Sequence, residues 1–170
     1  STTPRIDLIS RAVKINGTLQ AEELNVVTGA NKVAYSDLQA EQMSAATVKP
    51  ALALDVSALG GMYAGRITMV GTENGVGVKN AGVMEAVGEA GSILLNVNGR
   101  ITFIQSVETE NGESSVLSRV TAQKNIELQS SDTIEFADDV TAGVDFTVNA
   151  KNIIADKQLT AGIYRPTSAT

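Results

Sequence analysis

Short runs of alternating apolar and polar residues recur along the whole chain. Val13-Lys14-Ile15, Leu24-Asn25-Val26, Ile67-Thr68-Met69, Ile126-Glu127-Leu128 and Phe146-Thr147-Val148 each put apolar side chains on one side of an extended backbone. A period of two predicts strands with one buried face. Asn-Gly steps punctuate the runs at Asn16-Gly17, Asn74-Gly75, Asn98-Gly99 and Asn111-Gly112. Both residue types tolerate positive φ, so these steps predict turns.

An internal repeat bears on how such strands are arranged. Val120-Thr121-Ala122 recurs as Val140-Thr141-Ala142, and at the same offset Ile126 matches Phe146 and Leu128 matches Val148. Leu159-Thr160-Ala161-Gly162 suggests a third copy. A period near twenty suits one coil of a β-solenoid, whose coils stack like residues in ladders. A β-sandwich with a strand every ten residues would give a similar rhythm. The Ala- and Gln-rich stretch from Ser36 to Ala46 lacks alternation. Residues 36–50 are therefore expected to form a loop outside the coils, ended by Lys49-Pro50.

Composition supports the all-β reading and removes several chemistries. Val, Ile and Thr make up 46 of 170 residues, beside 15 glycines and 3 prolines. There is no histidine, cysteine or tryptophan. Zinc sites built on those residues, Ser-His-Asp triads, cysteine nucleophiles and disulfides are thereby excluded. Six aromatic residues make a thin platform for stacking bases or sugars. A net charge of −6 argues against general binding to nucleic-acid phosphate or anionic lipid. No apolar run is long enough for a membrane-spanning helix. The opening Ser1-Thr2-Thr3-Pro4-Arg5 lacks the plan of a signal peptide and reads as the start of a processed or excised piece.

Candidate chemical motifs have plainer structural readings. Gly71-Thr72-Glu73-Asn74-Gly75-Val76-Gly77-Val78-Lys79-Asn80 invites comparison with a phosphate loop. Yet Lys79 is followed by Asn80 rather than by a hydroxyl residue, no helix is predicted there, and Glu73 would repel phosphate. A glycine-turned corner is the better reading. Asn80 before Ala81-Gly82 is expected to point into a corner and satisfy backbone groups there. Glu22-Glu23, Glu108/Glu110/Glu113 and Asp138-Asp139 could in principle serve glycoside hydrolysis or bind calcium. Solvated turn charge is the expectation for all three clusters. Tyr63 is expected to pack over a neighbouring corner, with the glycines around it allowing close backbone approach. Asn16-Gly17-Thr18 fits a glycosylation sequon, a short pattern that often arises by chance.

From Ala53 to Gly82 the chain reads ALDVSALGGMYAGRITMVGTENGVGVKNAG. This segment resembles the secretion domain of bacterial two-partner-secretion exoproteins: filamentous haemagglutinins, haemolysins and contact-dependent inhibition proteins. Asp7 to Gly17 and Leu24 to Gly29 resemble the same family in the same order, so the likeness covers residues 6–83. Its signature falls on Gly60, Gly61, Met62, Tyr63, Gly65, Gly71, Thr72, Gly75, Gly77, Asn80 and Gly82. The resemblance implies a right-handed parallel β-helix, taken as continuous over 1–170, and the repeat sets about 20 residues per coil. Residues 1–88 would be the later part of the secretion domain and 89–170 haemagglutinin-like repeat coils. The family's Asn-Pro-Asn motifs are absent here.

In function, the resemblance implies a non-catalytic export module at the base of an adhesin or toxin filament, secreted or held at the bacterial surface. Its implied partners are an outer-membrane transporter barrel, the missing amino-terminal part of its own domain, and a host or target-cell surface reached through other regions. Neither a cofactor nor nucleic acid is implied. A β-helical carbohydrate-active enzyme or carbohydrate-binding module is the alternative.

Overall fold

A computed structural model describes residues 3–43 and 48–162. The chain is all-β, with no helix among the described residues. All strand pairs are parallel except two hairpins. The parallel strands fall into three stacks, and the chain visits them in turn.

The first stack runs through residues 18–21, 61–64, Val83–Ala86, Arg119–Ala122, Val140–Ala142 and Leu159–Thr160. The second runs through Thr3–Ser10, 23–28, 66–71, Ser92–Val97, Ile126–Ser130 and Phe146–Asn149. The third runs through Val13–Ile15, Leu52–Val56, Gly77–Asn80, Ile101–Ile104, Thr133–Ala137 and Asn152–Ala155. The long strands Thr18–Thr28 and Gly61–Gly71 each supply both the first and the second stack.

Alternation fixes what points inward. Ile6, Leu24, Ile67, Ile93, Ile126 and Phe146 form one continuous column by register, and Leu8, Val26, Met69, Leu95, Leu128 and Val148 the next. In the first stack Ala21, Ala64, Ala86, Ala122 and Ala142 align, a ladder of small side chains. Phe103 and Phe136 occupy the third stack and are fully buried. Each large aliphatic side chain so buried contributes about 1.5–3 kcal/mol. The expected interior residues Ile15, Val26, Ile67, Met69, Ile126 and Leu128 are buried, while Val13, Phe146 and Val148 pack against the core and are partly covered.

The twenty-residue offset is present where the repeat was legible: Val120 pairs with Val140, Ile126 with Phe146, and Leu128 with Val148. Elsewhere the offset varies: Ile6 pairs with Leu24 and Val140 with Leu159, which are shorter steps, while others are longer. Ile67 pairs with Ile93, and Ile93 with Ile126. The irregularity comes from corners of different length and from two departures from the stacks.

The first departure begins earlier than expected. It is a hairpin of Asn31–Val33 and Ala40–Gln42, where a plain loop over 36–50 was anticipated. Residues 44–47 of that stretch lie outside the described residues. The hairpin folds over the outer surface of the second stack. There Leu38, at φ 57°, helps enclose a cavity of about 270 Å³ with Arg5, Glu23, Asn25 and Val27. Outward-facing Val27 and Asn25 are buried beneath it, and Thr68 is half-buried. The second departure is the hairpin Val107–Glu110 and Glu113–Val116, exposed throughout.

Candidate functional site

The signature residues build two corners and the long strand between them; they do not converge on a pocket. At the corner leading from the third stack into the first, Gly60 and Gly82 lie in successive coils. A Cβ on Gly82 would strike the carbonyl oxygens of Gly60 and Ser57, and one on Gly60 would strike that of Ile15. Backbones approach this closely only where side chains are missing. The Val83 N–H donates to the Gly60 carbonyl at 3.0 Å, and the Gly61 N–H to the Gly17 carbonyl at 3.0 Å.

Asn80 closes this corner as expected. It is fully buried in a column that otherwise carries Ile15, Val56, Phe103, Phe136 and Ala155. Its Nδ2 donates to the Gly82 carbonyl at 3.1 Å, while Oδ1 has no protein partner. The Gly82 carbonyl also accepts the Arg119 N–H of the next coil at 3.2 Å, so the amide gives this inward carbonyl a second donor.

Along the strand, Met62 points into the core and Tyr63 outward. The Tyr63 ring lies against Gly61, where an added Cβ would come within 2.6 Å of Cε2. Gly65 sits at the bend between first and second stacks, close to the Glu22 carbonyl.

The second corner leads from the second stack into the third. Gly71 packs between Thr28 and Val97. Thr72 donates through Oγ1 to Asn31 Oδ1 at 2.5 Å, and Asn31 Nδ2 donates to the Thr28 carbonyl at 2.9 Å. Asn98 Nδ2 reaches the Thr72 carbonyl at 3.3 Å, and the Gly75 N–H, at φ +79°, donates to the Asn98 carbonyl at 2.7 Å. Gly77 lies against the Arg100 backbone. Gly77–Asn80 is a strand, so no helix end faces this glycine-rich turn as a phosphate loop requires.

Glu73 is buried in that corner and bound by Arg11 through two nitrogens. Nε lies 3.2 Å from Oε2, and the terminal nitrogen Nη2 lies 2.8 Å from Oε1. The Arg11 guanidinium holds the Glu73 carboxyl below its ordinary range, and Lys49 adds to this. The pair ties the turn after the Thr3–Ser10 strand to a corner 62 residues on. Its sequence signal is weak: a lone arginine after a strand and a glutamate inside a glycine turn. Asp7 is likewise held below its ordinary range, first by its bond to Arg5 at 2.8 Å and then by Asn25.

The acidic clusters divide. Glu22, Glu23, Glu108, Glu110 and Glu113 are exposed, as expected. Asp138 is not: it is 2% exposed, and this corrects the reading of Asp138-Asp139 as solvated charge. The cause is register. Val120 pairs with Val140, and extending that register two residues back brings Asp138 level with Ser118, at the corner that Gly82 and Gly60 occupy in earlier coils. Its Oδ1 accepts the Asp139 N–H at 2.9 Å; Oδ2 has no protein partner. Asp139 stays exposed and accepts the Gln158 N–H at 2.9 Å. Among the described residues, no group of three or more carboxylates is arranged to hold a metal ion.

The corners bring successive backbones close together, and the inner ladder runs on from one to the next. Comparison with known proteins gives the family. The family model of the TPS secretion domain matches residues 1–101. The chain belongs to the TPS secretion domain family. Both glycine corners and the Arg11–Glu73 pair fall inside the matched span.

Among relatives, a tRNA nuclease CdiA-2 of Burkholderia pseudomallei is 48% identical over 99 residues, 58% of this chain. A toxin CdiA of Yersinia pestis is 45% identical over 97 residues, 56% of the chain. A 16S rRNA endonuclease CdiA of Enterobacter cloacae is 42% identical over 103 residues, 61% of the chain. In each case the chain spans only 3% of the relative's length. No solved structure matches.

Proposed function

We propose that this TPS domain is a right-handed parallel β-helix serving as a non-catalytic export module of a contact-dependent inhibition exoprotein. The carrying observation is the inner columns, which run unbroken through six coils. Each coil finds its partners only in the coils next to it. Such a chain can fold from one end, each finished coil templating the next. Crossovers between parallel strands of one sheet are right-handed in the great majority of cases, which favours that hand here.

In this reading the domain delivers the exoprotein to an outer-membrane transporter barrel and then stands at the base of the secreted or surface-held filament. The absence of cysteine suits passage in an unfolded state, since no disulfide has to form on the way. The nuclease and toxin activities named for the relatives belong to proteins of which this segment covers 3%. This chain has no histidine, and among the described residues no three acids are grouped to hold a metal ion for such chemistry.

The test is transporter-dependent release. The intact parent should appear outside cells that carry its transporter, and removing residues 1–101 should stop that release. Undiminished release of the truncated parent would overturn the proposal.

A further inference from the structure

The four Asn-Gly steps share one chemistry and sit in different surroundings. At each, the glycine backbone nitrogen can attack Cγ of the preceding asparagine. An N–Cγ bond forms, the Cγ–NH2 bond breaks, and the glycine amide proton leaves with the amine as ammonia. Water then opens the cyclic imide at either carbonyl, giving aspartate or isoaspartate. Glycine hinders the attack least, because it has no Cβ beside the nucleophile. The asparagine must first rotate about ψ, so the rate follows the free energy of opening the local backbone.

Three of the steps are tied into the stacks. The Gly75 N–H donates to the Asn98 carbonyl of the next coil at 2.7 Å. Asn98 donates from its backbone to the Gly71 carbonyl at 2.8 Å and from its side chain to Thr72, and Gly99 is buried against Val76. Gly17 accepts from the Gly61 N–H at 3.0 Å, between two strands paired to neighbouring coils. Rotation at any of these breaks bonds between coils.

Asn111-Gly112 differs. It forms the tip of the second hairpin, with φ of 52° and 81°. The strands on either side pair only with each other, and every residue in them is exposed. Opening this tip gives up no apolar burial and no contact with the coils.

We propose that Asn111 is a site of spontaneous deamidation and isomerisation, and the one fast site among the four Asn-Gly steps. Deamidation adds a negative charge between Glu110 and Glu113, which already face each other across the hairpin. Isoaspartate lengthens the backbone and breaks the two-residue turn. The coils are spared, because Ile101–Ile104 and Arg119–Ala122 keep their register with other strands. The flanking glutamates oppose loss of the Gly112 amide proton, so conversion should quicken with salt, which screens them, as well as with pH.

The experiment incubates the full chain at mildly alkaline pH and follows each asparagine by peptide mass mapping, with enzymatic methylation reporting isoaspartate. Asn111 should convert at least about tenfold faster than Asn16, Asn74 or Asn98. In urea strong enough to unfold the coils, the four rates should converge. Conversion of any stacked asparagine as fast as Asn111 in the folded protein would overturn the proposal. So would a ranking that persists unchanged in urea, since local sequence rather than the fold would then set it. The Asn111→Asp variant should melt with the wild type, showing that the hairpin tip is independent of the stack.

Discussion

Phe103 and Phe136 stack face to face in adjacent coils, their ring centroids 5.5 Å apart and their planes 9° from parallel. The third aromatic ring, Phe146, tilts against Phe136 at 5.9 Å. Phe136 thus touches a ring on either side, while Phe146 is partly open to solvent. Truncating Phe136 to alanine should cost about 3–5 kcal/mol, the usual range for a buried phenylalanine. Phe146→Ala should cost distinctly less. Urea melts of the two variants measure the difference, and equal losses would contradict the stacking order.

Leu94 and Leu95 are consecutive and face opposite ways. Leu95 is fully buried in the column of Met69 and Leu128, whereas Leu94 is 36% exposed. Leu95→Asp leaves a charge with no partner in the core and should remove several kcal/mol, comparable to a domain's whole margin. Leu94→Asp should stay within about 0.5 kcal/mol, as surface changes usually do. Thr68 would be a poor outward control, because the first hairpin half-covers it. Similar melts for the two variants would mean that the register is shifted by one residue.

Gly82→Ala should destabilise by about 1–3 kcal/mol or more, because its new Cβ meets backbone that cannot swing aside. The same shift would disturb the carbonyl to which Asn80 donates. Gly17→Ala is the matched control. Nothing lies near its would-be Cβ and its φ is not positive, so its melting point should hardly move.

The Arg11–Glu73 pair gives a pH dependence with a definite sign. Arg11 lowers the folded-state pKa of Glu73 below its ordinary value of 4.5. The stabilisation is therefore present in full above that value and lost as pH falls through the lowered folded-state value. Wild-type stability should be flat in this respect from neutral pH down to about 5, then decline. Glu73→Gln should be less stable at neutral pH, and its gap to wild type should narrow in acid. A gap that is constant from neutral pH into acid would show that the carboxylate charge plays no part.

Sequence revealed most where geometry repeats without interruption. The match of Ile126-Leu128 with Phe146-Val148 was legible because the chain takes the same number of residues from Val120 to Ile126 as from Val140 to Phe146. The equally direct pairing of Ile67 with Ile93 was hidden, since corners of other lengths shift the offset. Asn80 could be placed because an inward amide near glycines has a physical task. Asp138 could not: its burial depends on lying over Ser118, which follows a hairpin that only the register reveals as an insertion. Tyr63 was expected over a neighbouring corner, and its ring lies against Gly61, two residues back in its own strand. The Arg11–Glu73 pair joins positions that no local pattern connects.

The two hairpins also set the tempo at which coils can close. Ala122 reaches its partner Ala142 after a short walk along the chain, but Ala21 must wait for Ala64, with the first hairpin in between. Doubling a loop costs only about 0.6 kcal/mol of closure entropy, so the insertion barely burdens the finished stack. The same statistics make the encounter of the two ends rarer by about threefold. Winding from the first strand onward, the chain pauses while residues 31–60 are gathered, and then at the later hairpin. Beyond the later hairpin it runs at the pace of its shorter coils, where Val120 meets Val140 and Val140 meets Leu159.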